Sequence, residues 1–434
     1  MTESSALLTD RYELTMVDAA LRENMHEREC VFEVFTRRLP AGRRYGVLAG
    51  TGRLLELIQK FRFGPSELEY VREAGIVHPD TLEWLANFRF SGSITGYHEG
   101  ELFFPGSPVL TVEAPFAEGV VLETLVLSVL NYDSAVASAA ARMVTAAAGR
   151  PLVEMGSRRT GEHSAVAAAR AAHIVGFGAT SNLEAGRTWG IPTMGTAAHA
   201  FTLLHQNEEE AFRAQVAALG VGTTLLVDTY DVATGIDTAI RVAGTNLGAV
   251  RLDSGDLPTL VRRTREQLDA LGATNTRITV TNDLDEFTIA ALSGAPVDSY
   301  GVGTSVVTGS GSPACGMVYK LVSHRDSDGP WIPVAKKSDG KASIGGRKRA
   351  LRRRDERGNA VAEMILVDQR GMTSPEYDRP LLVSLVTDGI VRREHTGAIG
   401  VRNARDHHAV IRHELPEDAL RLGPGGPAIP TIIV

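Results

Sequence analysis

Between residues 150 and 322, short apolar runs alternate with helical segments, and that alternation constrains the fold more than any other feature of the chain. Strand candidates cover residues 152–155, 191–194, 224–228, 249–253, 277–281, 299–302 and 317–322, with helices at 207–219, 257–271 and 284–292 between several of them. Repeated strand–helix units give parallel strands, because the chain must cross back over the sheet before it can pair again in the same direction. Such a run closes into a barrel or spreads as an open doubly wound sheet. About seven strands is one short of the usual barrel, so an irregular α/β barrel is predicted, with the open sheet as the alternative.

A smaller α+β domain precedes it in residues 1–117. Thr9 and Asp10, with Glu13 three residues on, open a first helix; 30–36 alternates as a strand, and 50–61 reads as a helix. The barrel domain is placed at 118–330, entered through Ala-rich apolar helices over 118–148. Residues 331–434 lack strand–helix units and are expected to return to the N-terminal domain: 331–336 and 360–367 read as strands, 340–354 is basic and Gly-rich, and periodicity after Gly389 is weak.

Bulk properties exclude several functions. A net charge of −7 argues against a general nucleic-acid binder, so any anionic ligand must be met by placed residues. The two cysteines, Cys30 and Cys315, lie far apart without metal-ligand spacing. The N-terminus is acidic and polar, and the apolar run 120–130 is broken by Glu123, Thr124 and Ser128 and too short to cross a bilayer. A soluble cytoplasmic protein with no membrane partner is expected.

In parallel α/β architectures, residues just after each strand share one face, where ligands bind. In order they are Gly156-Ser-Arg158-Arg159, Gly195-Thr196-Ala-Ala-His199, Asp228-Thr229-Tyr230-Asp231, Arg251-Leu-Asp253-Ser254-Gly255-Asp256, Thr281-Asn282-Asp283 and Gly301-Val-Gly303-Thr304. Arg158 and Arg159 offer planar forks to carboxylate or phosphate, and the glycine turns offer backbone donors. Asp253 and Asp256 suit ribose hydroxyls, Mg²⁺ or a developing cation. His199 opens a helix, whose N-terminus favours anions and disfavours imidazolium, leaving a neutral ring as base, nucleophile or ligand. The plain alternatives are a packing histidine, an Arg158 or Arg159 pair with Glu162, and a DSGD segment that only caps the next helix. No Walker A sequence is present.

Taken together, the LLTDRYE segment from Leu7, GSRR, Ala179-Thr-Ser181-Asn182, GTAAH, RLDSGD, GVGT, Tyr319-Lys-Leu321 and Lys336 resemble the nicotinate phosphoribosyltransferase family of the type II phosphoribosyltransferases. The resemblance implies an irregular α/β barrel fused to a domain of N- and C-terminal segments, in a homodimer. It implies transfer of the phosphoribosyl group of 5-phosphoribosyl-1-pyrophosphate (PRPP) to nicotinate, releasing pyrophosphate, with Mg²⁺ and with ATP hydrolysis. It further implies that ATP phosphorylates His199 and that Asp253 serves the ribose region as the second catalytic residue. Tyr12, Arg158, Thr196 and Arg251 match nicotinate contacts. Ser181 stands where nicotinamide-using relatives carry an acidic residue, which suits a carboxylate substrate. Phosphoribosyl and phosphate contacts fall on Arg159, Ser254, Gly255, Asp256, Asn282, Gly301, Gly303 and Thr304, although Thr281-Asn282-Asp283 departs from the Ser-Asp-Gly type of turn that many relatives have. No metal ligand and no role for the basic run 347–354 transfers. The competing readings are a sister enzyme using nicotinamide or quinolinate, a phosphosugar isomerase or aldolase with Lys320 as the one lysine near the strand ends, and a non-catalytic phosphosugar sensor.

Overall fold

The computed structural model describes residues 4–40, 42–325, 329–336, 343–368 and 378–434. Two compact units divide the chain, Met1–Ser138 with Ser312–Val434, and Ala139–Gly311.

The second unit is built on a curled, six-stranded parallel sheet. Its strands follow the order Ala179–Thr180, Leu152–Glu154, Ser299–Val302, Arg277–Val280, Ala249–Leu252 and Thr224–Leu226. Leu225, Val250, Leu252, Ile278, Val280, Tyr300 and Val302 are all buried, as expected of parallel strands, which are covered on both faces. Register keeps the strand ends level: Glu154 lies opposite Thr180 and Val302, Val280 opposite Tyr300 and Leu252, and Leu226 opposite Arg251. The loops that follow therefore emerge along one edge. Side-chain caps fix where the crossover helices start. Asn207 accepts from the Glu210 N–H before Glu208–Leu219, Asp231 from Thr234 before Val232–Ala243, and Asp285 from Phe287 and Thr288 before Glu286–Ala291.

Two strand candidates behave differently from expectation. Residues 191–194 do not form a full strand: only Thr193 bridges in parallel to Thr180, because Pro192 lacks an N–H and only its carbonyl joins the ladder. Residues 317–322 belong to Met317–Arg325, which pairs antiparallel with Glu29–Thr36 in the first unit. The parallel sheet thus has six strands, and the bridging Thr193 extends it on the Ala179–Thr180 side.

The first unit carries a seven-stranded antiparallel sheet in the order Ile332–Pro333, Met317–Arg325, Glu29–Thr36, Leu110–Pro115, Ser93–Tyr97, Leu382–Thr387 and Ile390–Val391. The chain changes units within the helix Glu123–Ala147 rather than at 117/118, and residues 312–325 join the first unit because Met317–Arg325 pairs there. Phe116–Ala147 is long and apolar enough by composition to cross a membrane, but 67 % of its apolar window is buried inside the protein, as in a core helix.

The basic run has a structural explanation. Lys348–Arg354 is a strand paired with Ala360–Val367, and most of its cations meet a carboxylate. Lys348 reaches Glu33 at 2.7 Å, the fully buried Arg352 reaches Glu363 at 2.8 Å, and Arg353 reaches Asp378 at 3.0 Å. Residues 340–342 of the predicted basic stretch and 337–339 lie outside the described residues. The weak periodicity after Gly389 conceals the helix Gly397–Ile411: its buried face is Gly400, Val401, Ala404, His408 and Ile411, too small and polar to give a hydrophobic repeat.

Candidate active site

A cavity of about 420 Å³ opens at the strand-end edge of the Ala139–Gly311 unit. The loop after Leu152–Glu154 contributes Ser157, Arg158 and Arg159; Ser181 follows Ala179–Thr180; Gly195 and Thr196 follow the bridge. Arg251 and Asp253, then Thr281, Asn282 and Asp283, then Gly301, Gly303 and Thr304 complete the lining. Adding a Cβ to Gly301 would place it 2.6 Å from Thr281 Cγ2 and 2.7 Å from Met155 Sδ, so the wall can be no thicker there.

Arg251 organises one side. It donates from Nε to Thr281 Oγ1 (2.9 Å), from Nη1 to the Ala197 carbonyl (3.4 Å) and from Nη2 to Asp253 Oδ1 (3.2 Å). The Thr281 hydroxyl donates to the same Asp253 oxygen. With Oδ1 held twice, the Asp253 Oδ2 is turned to His199, 3.9 Å from Nε2. Asp228 stands behind both: its Oδ2 accepts from the Asp253 N–H (2.8 Å) and the Ser254 hydroxyl (2.7 Å). Its Oδ1 is buried without a hydrogen-bond partner and lies 3.9 Å from His199 Nε2.

His199 is the first residue of the helix His199–Leu204. Its Nδ1 meets the Thr229 hydroxyl at 3.2 Å, so Nε2 is the nitrogen left for chemistry. Two carboxylates near that nitrogen set a charge opposite in sign to the helix N-terminus, which the local sequence alone did not disclose. At the start of the next helix, Glu208–Leu219, Glu208 is buried, and its carboxyl is pushed up to about 7 by that burial and then by Asp228 and Asp231.

Arg158 and Arg159 have no ion-pair partner among the described residues, so neither is consumed by Glu162. Asp256 is the N-cap of Leu257–Ala270 but its side chain makes no capping hydrogen bond, so DSGD is not simply a helix start. The turn instead owes its shape to Gly255, whose φ of +86° an L side chain rarely adopts.

The sequence model of the nicotinate phosphoribosyltransferase (NAPRTase) N-terminal domain matches residues 7–131. The chain is 57 % identical over 437 residues to nicotinate phosphoribosyltransferase pncB1 of Mycobacterium tuberculosis, covering 99 % of this chain and 95 % of the relative. The chain belongs to the nicotinate phosphoribosyltransferase family. A Bacillus subtilis nicotinate phosphoribosyltransferase is 39 % identical, with 81 % of this chain and 73 % of the relative covered. The crystal structure of human nicotinic acid phosphoribosyltransferase has the same fold, with a TM-score of 0.83 at 24 % identity over 98 % of this chain and 97 % of that one.

Of the residues that the resemblance to this family singles out, Arg158, Arg159, Ser181, Thr196, Arg251, Asp253, Asn282, Gly301, Gly303 and Thr304 line the one cavity. His199 stands next to it through Asp253, and Ser254 is exposed and donates to Asp228, which also holds the Asp253 N–H. Gly255 and Asp256 are exposed and are not in the lining. Asn282 lines it with a φ of +88°, its side-chain oxygen accepting from the Asp283 N–H, a local bond that lets asparagine hold this conformation. Tyr12 lies in the other unit, on the helix Arg11–Arg22, 44 % exposed, with its hydroxyl pushed up to about 12 by burial and the carboxylates of Glu123 and Glu13. Lys320 is also in that unit, 3.7 Å from Glu123. Sequence reasoning puts Asp228 and Thr281 at strand ends without giving them a role, and it leaves out Glu154. The signal for the first was available: Asp228 ends the apolar run Leu225-Leu226-Val227 as Asp253 ends its own.

Proposed function

We propose that the cavity seats nicotinate beside PRPP and joins the pyridine nitrogen to C1 of the ribose, forming nicotinate mononucleotide and pyrophosphate for NAD salvage. The observation that carries the reading is the pair of unpaired guanidinium groups, Arg158 and Arg159, on a cavity that also presents an aspartate anchored by Arg251 and Thr281. A carboxylate on a flat ring suits the Arg158 fork, and Arg159 with Thr304 suits phosphate. As the C1–O bond to pyrophosphate breaks, positive charge grows on the ribose, and Asp253 is the carboxylate to offset it. The ring nitrogen is the nucleophile, so no protein nucleophile is needed for this step.

His199 serves a separate step. Its Nε2 attacks the γ-phosphorus of ATP, the P–O bond to ADP breaks, and Thr229 keeps hold of Nδ1. Hydrolysis of that phosphohistidine draws transfer towards mononucleotide. Among the described residues no group of three or more His, Cys, Asp or Glu side chains is arranged to hold a metal. The orphaned Asp228 Oδ1 and the Asp253 Oδ2 are the hard oxygen donors that would hold Mg²⁺ carried in on substrate phosphates. The ion would neutralise phosphate charge on the leaving group. No lysine lines the cavity among the described residues, which removes the Schiff-base route of an aldolase. We infer from the family resemblance a homodimer of cytoplasmic location.

Chromatography after incubation with nicotinate, PRPP and Mg²⁺ tests the reading: mononucleotide and pyrophosphate should appear together. Turnover of nicotinamide or quinolinate but not nicotinate would assign a sister activity, and PRPP binding without turnover would leave a sensor. His199→Ala should keep ATP-independent transfer and lose ATP hydrolysis.

A further inference from the structure

Glu154 is the last residue of its strand, between Val153 and Met155, and its side chain is fully buried. An acid in the interior of a parallel sheet needs partners, and this one has two. One carboxylate oxygen accepts the Gly156 N–H at 2.5 Å and the other accepts the Thr180 hydroxyl at 2.6 Å. The Glu154 carbonyl accepts the Ser181 N–H at 2.8 Å. The Thr180 oxygen also accepts the Asn182 N–H at 3.0 Å, and the Asn182 amide donates to the Ser157 hydroxyl at 3.1 Å. Glu154, Gly156, Ser157, Asn182 and Thr180 thus close a ring of bonds across two neighbouring loops. One loop carries Arg158 and the other carries Ser181, both on the cavity.

We propose that Glu154 is the positioning residue of the pyridine-carboxylate subsite, fixing the separation of Arg158 and Ser181 by clamping the two loops together. This rests on the placement of nicotinate against Arg158. Its action is geometric: the carboxylate is sealed under the loops and touches no substrate. Gly156 belongs to the device, since an added Cβ there would lie 2.2 Å from Val307 Cγ1 and 2.9 Å from Glu154 itself. With the clamp cut, the loops drift independently, and a shift near 1 Å lowers turnover about 100-fold in a site of this kind.

The test compares Glu154→Ala, Glu154→Gln and Thr180→Val in the full chain, with KM measured separately for nicotinate and PRPP. In Glu154→Ala, KM for nicotinate should rise at least tenfold while KM for PRPP stays within twofold, and preference for nicotinate over nicotinamide should narrow. Glu154→Gln, which can still accept from Gly156 and donate to Thr180, should recover most of the loss. Thr180→Val, nearly isosteric and cutting one arm, should fall between and keeps the test open if Glu154→Ala does not fold. Equal changes in both KM values, or no change in Thr180→Val, would overturn the clamp. Failure of the wild-type chain to use nicotinate would instead overturn the substrate reading.

Discussion

Thr281→Val removes one hydroxyl and almost no volume, yet that hydroxyl joins the two charged residues that shape the site. It accepts from Arg251 Nε at 2.9 Å and donates to Asp253 Oδ1. A hydrogen bond to a charged group nets about 1.5–3 kcal/mol when its partner is left dry. Here the Arg251 and Asp253 side chains are 17 % and 31 % exposed, so water replaces part of the loss. A stability cost of about 1–2 kcal/mol remains after that recovery. The effect on catalysis is larger. Asp253 Oδ1 then keeps only the 3.2 Å contact to Arg251 Nη2, and the carboxylate is expected to turn away from the ribose position. A fall of about 10- to 100-fold in kcat/KM for PRPP is expected, with Thr281→Ser restoring most of it. Initial rates of mononucleotide formation, with thermal melts as the stability control, decide it. A variant with a lowered Tm but kcat/KM within twofold of wild type would show that Thr281 is scaffolding and that Asp253 does not depend on it.

Arg158→Gln should raise KM for nicotinate by about 10- to 100-fold and leave ATP hydrolysis in place, because a charge-assisted fork is lost on one substrate only; substrate-saturation curves check this. Glu13 is buried with one oxygen unpartnered, and burial pushes its carboxyl up to about 7 despite two bonds from Thr124. Between the ordinary carboxylate range and about 7 the folded chain holds a proton that the unfolded chain has lost. Stability conferred by that proton is full at lower pH and is lost as pH rises through the folded value. Glu13→Gln should therefore gain on wild type in urea melts at pH 8 compared with pH 5. Glu363→Ala leaves the fully buried Arg352 guanidinium with only the 3.8 Å Glu101 contact and the Leu102 carbonyl, removes the acceptor of the Tyr97 and Ser107 hydroxyls, and should cost about 3–5 kcal/mol in the same melts.

The parallel sheet was legible because buried strands leave unbroken apolar runs, and level strand ends follow from parallel pairing. That logic places Arg158, Arg251, Asp253 and Thr304 on one edge from the sequence alone, and the family resemblance supplies chemistry. It failed for residues 317–322, since an apolar alternation does not state its partner: Met317–Arg325 pairs with Glu29–Thr36, nearly three hundred residues away. It failed again at Gly397–Ile411, where small and polar residues form the buried face. The supporting residues were the hardest to see. Thr281, Glu154 and Asp228 act on neighbouring loops through side-chain bonds between strands, and no spacing along one segment reports such a bond. His199 was placed beside an anion site, but the two aspartates facing its Nε2 come from separate strand ends.

Phosphate mapping on His199 tests the coupling mechanism. After incubation of the full chain with ATP and Mg²⁺, digestion at neutral to alkaline pH and mass spectrometry should find one acid-labile phosphate on the His199 peptide, absent in His199→Ala. ATP hydrolysis that persists in that variant, or phosphate on a different residue, would contradict the role assigned to His199.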